Sequence, residues 1–270
     1  MFSLISSSIF DESIFEKMFD FSDVSENPWA ILTIFLVITA IGVGLFFLCR
    51  FLEKKRGIIR KTGTRELVLG AVCVATSFIL SFIRIFRLTN AGSVTLASIL
   101  PIAIYCYMFG FNKSMLVCFI FSVLNFIQGP YVTNVWGLFL DYLLPYLALS
   151  LVGIFAIDPR KAQKNVRIKN HGKFFIGLGL YFVVRLLSHT LSGAIFWSSG
   201  VDFWIFQGDL EGWGAFVYSL CYNLTYVLFD TLVAAVVAFA MFNSKAVNNL
   251  MVDTVRKNTT LAETSQEQAQ

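Results

Sequence analysis

The chain has 270 residues, 57% of them hydrophobic and only 14% charged, with a mean hydropathy of +0.72. Soluble domains carry about 45 to 50% apolar residues, so this composition excludes an ordinary soluble globule and predicts an all-α integral membrane protein. The formal net charge of +4 and pI near 8.8 do not point to nucleic acid, because the basic residues fall in loops between apolar runs, without interleaved aromatics, as loops facing anionic lipid do.

In chain order, residues 1–27 form an acidic segment expected outside the cell. Within it "SIFDESIFEKMFD" places Phe10, Ile14 and Met18 at helical spacing between acids, the pattern of a short amphipathic helix on the outer membrane surface. Residues 28–50 read as a first transmembrane helix with no small-residue cleavage site, which is expected to remain as an anchor. A basic cytoplasmic linker, 51–63, leads into a six-helix substrate-binding unit, 64–242, followed by a polar cytoplasmic tail, 243–270, expected to be disordered.

A helix crosses a ~30 Å hydrocarbon core with roughly 20 apolar residues. Seven runs qualify, at 28–49, 66–86, 93–109, 114–128, 136–157, 173–197 and 214–242. The third and fourth are short and meet at "FGFNKS", which predicts a tight helical hairpin partly buried in protein.

Orientation follows from Lys and Arg, which favour the cytoplasmic side. Seven lie between the first two spans, Lys113 lies in the third loop, six lie in "DPRKAQKNVRIKNHGK", and Lys245, Arg256 and Lys257 follow the last span. These seventeen of the 21 basic residues all fall on alternate loops, which predicts the N-terminus outside and the C-terminus in the cytoplasm.

Three stretches then share the outer half of the membrane. In "RLLSHTLSGAIFW", Arg185, His189, Ser192 or Gly193, and Phe196 or Trp197 recur at steps of three and four, so they share a helical face. "IQGPYVTNVWGLFLDYLLPY" brings Gln128, Tyr131, Trp136, Asp141 and Tyr142 to the same side, and "GWGAFVYSLCYNLTY" brings Trp213, Tyr218, Tyr222, Asn223 and Tyr226. Polar groups inside a membrane are costly unless they face protein or a cavity. Arg185 and Asp230, near the middle of adjacent spans, are expected to pair. Asp141 is then left for a cationic ligand, with indole and phenol rings for stacking and cation–π contact. Trp136, Trp204 and Trp213 read as interfacial belt residues, and His171 as a surface residue of a basic loop.

Other chemistries find little footing. "MFGFNKS" lacks the glycines of a phosphate-binding loop, and neither HExxH nor a second useful histidine is present for a zinc protease. The five cysteines lie within spans without a CxxC pair and read as packing residues. Ser188, His189 and Ser192 share one helix, unlike the residues of an intramembrane serine protease, and Asp141 and Asp230 lie at different depths. No catalytic residue, metal or cofactor is expected.

At these residues the chain resembles the thiamine-specific S components (the ThiT or YuaJ group) of energy-coupling factor vitamin transporters. "GSVTLASILPI", "FIQGPYV", "FLDYLLPY", "SHTLSGAIFW" and "VYSLCYN" follow in that order over about residues 64–242. The resemblance implies a six-helix S-component bundle, here with one additional N-terminal helix, in the bacterial plasma membrane. It would capture thiamine from outside and pass it inward through a coupling subunit and two ATPase subunits. Carried over by motif, the substrate-binding residues fall on Asp141, Tyr142, His189, Trp197, Tyr218, Asn223 and Tyr131. The small-residue contact for the coupling subunit falls on Ala71 and Ala75 in "GAVCVAT". The loop before "LPI" lacks the tryptophan some members carry, so a second stacking ring must come from elsewhere. Asn223 rests on the resemblance alone, since helical spacing favours Tyr218, Tyr222 and Tyr226. An S component for another flat vitamin, riboflavin or pyridoxine-like, stays open, and so, from another class, does a membrane enzyme or stand-alone channel.

Overall fold

The computed structural model describes residues 63–88, 92–129, 135–158 and 171–267, with scattered positions between 32 and 51. The acidic segment at 1–27, its amphipathic helix, most of the linker 51–63 and Tyr131 lie outside the described residues. The described positions of 28–50 are helical, and Leu36, Val43 and Phe47 among them are exposed.

From Gly63 onward the elements alternate between two ends of a helical bundle. Helix α1 (Thr64–Phe82) leads into an antiparallel hairpin of β1 (Arg84–Arg87) and β2 (Ser93–Thr95). Helices α2 (Leu100–Phe109) and α3 (Phe111–Gln128) come next, bent about Gly110. The fourth rod, α4, is a composite of an α-turn (Val135–Leu138), a π-turn (Phe139–Leu143), a second α-turn (Leu144–Leu147) and a 3-10 segment (Ala148–Phe155). Helix α5 (His171–Phe196), a second hairpin of β3 (Val201–Phe203) and β4 (Phe206–Gly208), helix α6 (Gly212–Phe242) and helix α7 (Lys245–Glu267) complete the chain.

Among the described residues five helices are long and apolar enough to cross a membrane, namely α1, α3, α4 over Trp136–Phe155, α5 and α6. Helix α2 has only 10 residues but is almost wholly buried, as the expected tight hairpin requires. The second and third predicted spans run too far, because 84–87 and 93–95 pair as strands instead. A hairpin at this end of the bundle satisfies backbone groups that would otherwise lie unpaired.

In α1 the buried residues Glu66, Gly70, Val74, Ser77 and Ser81 recur every three or four positions. The opposite face, Val68, Ala71, Val72, Ala75 and Ile79, is exposed. Ala71 and Ala75 thus stand outside the bundle rather than in its internal packing. Glu66 is 1% exposed and pairs with Lys113 at 2.5 Å, which ties α1 to the start of α3.

The core divides by depth. Toward the α7 end it is apolar, built on Tyr107, Phe121, Leu149, Val152 and Phe174. Toward the hairpins it is tyrosine-rich, with Tyr218, Tyr222 and Tyr226 packed beside Val94, Val201 and Val227.

Two expectations at the α7 end need correction. The polar tail is a helix whose Met251, Val252 and Val255 join the core, with Asn248 on the same face. Its low mean hydropathy hid an apolar stripe one helical turn wide. His171 is not a free surface residue: its ring stacks on Phe242 at 4.2 Å and its Nε2 meets Asn248 Oδ1 at 2.7 Å. The Asn248 amide also donates to the carbonyls of Phe242 and Ser244, which closes the end of α6.

Candidate functional site

Between the first hairpin and helices α4, α5 and α6 lies a cavity of about 150 Å³. Its carboxylate, Asp141, sits in the π-turn, a helical irregularity that re-aims side chains and concentrates at functional sites. The turn is visible in its bonding, since Leu144 N–H reaches back to Phe139 O rather than to Leu140. One Asp141 oxygen accepts from Ser192 Oγ at 2.6 Å and the other lies 3.1 Å from His189 Nδ1, both from α5. A carboxylate is acceptor-only, so Nδ1 carries the proton, and in the neutral tautomer Nε2 is then an acceptor.

Arg185, one turn before His189, does not reach Asp141. Its guanidinium meets Asp230 at 2.6 Å and Tyr181 Oη at 2.9 Å, and Asp230 also accepts from the backbone N–H and hydroxyl of Thr95. The expected Arg185–Asp230 pair therefore exists and also pins β2 to α6. Both partners are buried, at 6% and 2% side-chain exposure, so their charges cancel locally. Among the described residues no Lys or Arg lies within ion-pair distance of Asp141, which faces a cavity also lined by Arg185, whose guanidinium is taken by Asp230.

Aromatic rings form the rest of the wall. Tyr218, Tyr222 and Tyr226 recur at steps of four on α6, with adjacent ring centroids 6.0 Å apart. Phe203 and Phe206 of the second hairpin back Tyr218 from behind. Trp197 lines the cavity at the end of α5, and Tyr142 and Tyr146 line it from α4. The first hairpin roofs it: Gly92 N–H donates to Tyr222 Oη at 3.2 Å, and a Cβ at Gly92 would come within 2.8 Å of the Tyr226 ring. A Cβ at Gly193 would meet Ser219 Oγ at 2.1 Å, so glycine is what lets α5 and α6 approach here.

Of the residues expected at the site, Asp141, Tyr142, His189, Trp197, Tyr218 and Asn223 all line this cavity. Asn223 does so although it lies ~140° round the helix from Tyr218. The cavity wraps α6 through a broad face instead of meeting a narrow stripe. The Asn223 amide is engaged within the protein, donating to Ser219 and to the His189 carbonyl and accepting from Tyr226 Oη. Tyr146, Ser219, Gly92 and Ser93 also line the cavity, and sequence reasoning missed them. Tyr146 could have been found as one turn beyond Tyr142. The Gly92–Ser93 pair could not, because 93 read as the start of a helix.

A flat cation suits this arrangement, with an anion at one wall, rings on several sides and imidazole, hydroxyl and carbonyl groups at the edges.

Comparison with known proteins places the chain further. Residues 67–249 match the family described as thiamine transporter protein. The chain is similar to the thiamine transporter ThiT of Bacillus subtilis (strain 168), with 26% identity over 184 residues, 66% of this chain and 90% of that protein. A solved structure of ThiT from Listeria monocytogenes shares the fold, with a TM-score of 0.54 at 20% identity over 68% of this chain and 96% of the other. The family match begins three residues into α1 and ends five residues into α7.

Proposed function

The chain belongs to the thiamine transporter protein family, and from that premise we propose that it is the thiamine-capturing S component of an energy-coupling factor importer. As a family member it is a multi-pass protein of the cell membrane that takes part in thiamine uptake, and it is not an enzyme. In the proposed cycle it binds thiamine at the hairpin end, which faces outward, and passes it inward through a coupling subunit and two ATPase subunits. The orientation is supported by Lys113, Lys173, Lys245 and Lys257, which gather at the α7 end. The unit 64–242 is the substrate-binding domain, and the transmembrane segment expected at 28–50 is an addition to it.

One observation carries the reading: Asp141 lines an aromatic cavity while the nearby Arg185 is neutralised by Asp230. Thiamine joins a cationic thiazolium to a neutral aminopyrimidine. The carboxylate would receive the cation, and Trp197 would stack on one ring. Tyr222 and Tyr226 are the candidates for the second stacking surface, in place of the missing loop tryptophan. His189 Nε2 would accept an edge hydrogen bond, and Tyr142 and Tyr218 would close the sides. We assign Asn223 to holding Tyr226 and the α5–α6 contact in place around the ligand, and Tyr131, outside the described residues, keeps the ligand-contacting role that its motif implies.

The test is a titration of purified protein with thiamine, riboflavin and pyridoxine, monitored by tryptophan fluorescence. Saturable quenching by thiamine alone is expected, and most of it should vanish in Trp197→Ala. Quenching by riboflavin or pyridoxine without a thiamine response would overturn the assignment.

A further inference from the structure

The π-turn that presents Asp141 leaves its own backbone short of donors. Leu144 N–H, the ordinary α-helical partner of the Leu140 carbonyl, is diverted to Phe139. The partner that the wider register would supply is residue 145, and Pro145 has no N–H. The Leu140 carbonyl is thus orphaned in both registers, and a buried carbonyl without a donor is costly. Ser188 Oγ, from α5, donates to it at 2.5 Å. On the other side of Asp141, Ser122 Oγ, from α3, donates to the Tyr142 carbonyl at 3.0 Å. Both serines are 2% exposed.

We propose that Ser188 and Ser122 are positioning residues that hold the wide turn open from two neighbouring helices and so aim the Asp141 carboxylate at the ligand. The inference rests on the reading of Asp141 as the receptor for the cation. The extra residue of a π-turn rotates the helix on its N-terminal side by about 100° relative to the helix on its C-terminal side. Without Ser188 the Leu140 carbonyl has no donor, and returning Leu144 N–H to it would instead strand the Asp141 carbonyl against the Pro145 ring, so the turn loses the support that fixes it in one register. A change of register there carries Asp141 away from Ser192 and His189. Neither serine touches the cavity, so neither needs to contact ligand for its loss to be felt there.

The experiment compares binding of thiamine and of its neutral aminopyrimidine fragment to the full-length protein, by titration calorimetry. The variants are Ser188→Ala, Ser122→Ala, Ser188→Thr and Asp141→Asn. Each serine-to-alanine change should weaken thiamine about ten-fold while weakening the fragment less than about two-fold, and Ser188→Thr, which keeps the donor, should restore thiamine binding. Equal losses for both ligands in the alanine variants, or no loss at all, with Asp141→Asn still selective against thiamine, would overturn the positioning role and leave the reading of Asp141 intact. Asp141→Asn without selectivity would overturn both. Ser122 reaches the turn from a different helix, so a folding defect in one variant leaves the other as the test.

Discussion

Asp141 sits inside a membrane protein with modest support around its carboxyl group: one serine hydroxyl, one imidazole N–H and a cavity. Its buried neighbour Asp230 is paired with arginine at 2.6 Å and fully used by the fold. The two carboxylates look alike in sequence, and what separates them is the partner each reaches. Asp141→Asn keeps the shape and most of the hydrogen bonding but removes the charge. Titration calorimetry should show thiamine affinity falling by roughly ten-fold or more, against a small change for the neutral aminopyrimidine. At this scale the sequence was informative wherever a polar or aromatic residue stood inside an apolar run, as at Asp141, His189, Trp197 and Tyr218. It did not reveal why Gly92 and Gly193 must be glycine, because they matter through the close approach of distant segments.

At the scale of elements, the Arg185–Asp230–Thr95 network joins α5, α6 and the first hairpin, and it sets the roof over the cavity. Arg185→Met should lower stability by about 3–5 kcal/mol by stranding a buried anion. Arg185→Met with Asp230→Asn should lose clearly less than the sum of the two single changes, because the charge is gone while Thr95 keeps its acceptor. Thermal unfolding of the purified variants checks both. Helix α7 makes a contrasting case. Ending the chain after Ser244 removes Met251, Val252 and Val255 from the core and Asn248 from His171. The melting temperature should drop by on the order of 5 °C or more, while thiamine affinity stays unchanged, because the cavity lies at the other end. The long helices were legible from apolar length alone. The hairpins and α7 were not, because strands of three or four residues and a stripe diluted by charges leave almost no trace in an average over 20 positions.

The whole molecule is a bundle with a polar, ligand-sized end and a dry, basic-flanked end, and one helix, α1, that is well anchored on one side and bare on the other. Ala71 and Ala75 on that bare side offer a low surface on which another helix could pack closely. If they meet the coupling subunit, Ala71→Trp should abolish energised thiamine uptake in cells while leaving the affinity of the purified subunit within about two-fold, since the side chain points away from the cavity. Unchanged uptake would move the contact elsewhere. Family-level likeness of motifs, rather than periodicity, carried the sequence to this level, because a partner surface of small residues is physically indistinguishable from a lipid-facing one until something binds it.

The central claim is that a single carboxylate at the mouth of the bundle receives the vitamin's cation, and a structure of the protein with thiamine bound tests it most directly. The thiazolium ring should lie within about 5 Å of the Asp141 carboxylate, with Trp197 stacked on the ligand and the Arg185–Asp230 pair undisturbed. Thiamine lying outside this cavity, or inside it with Asp141 turned away and its cation facing another group, would contradict the claim.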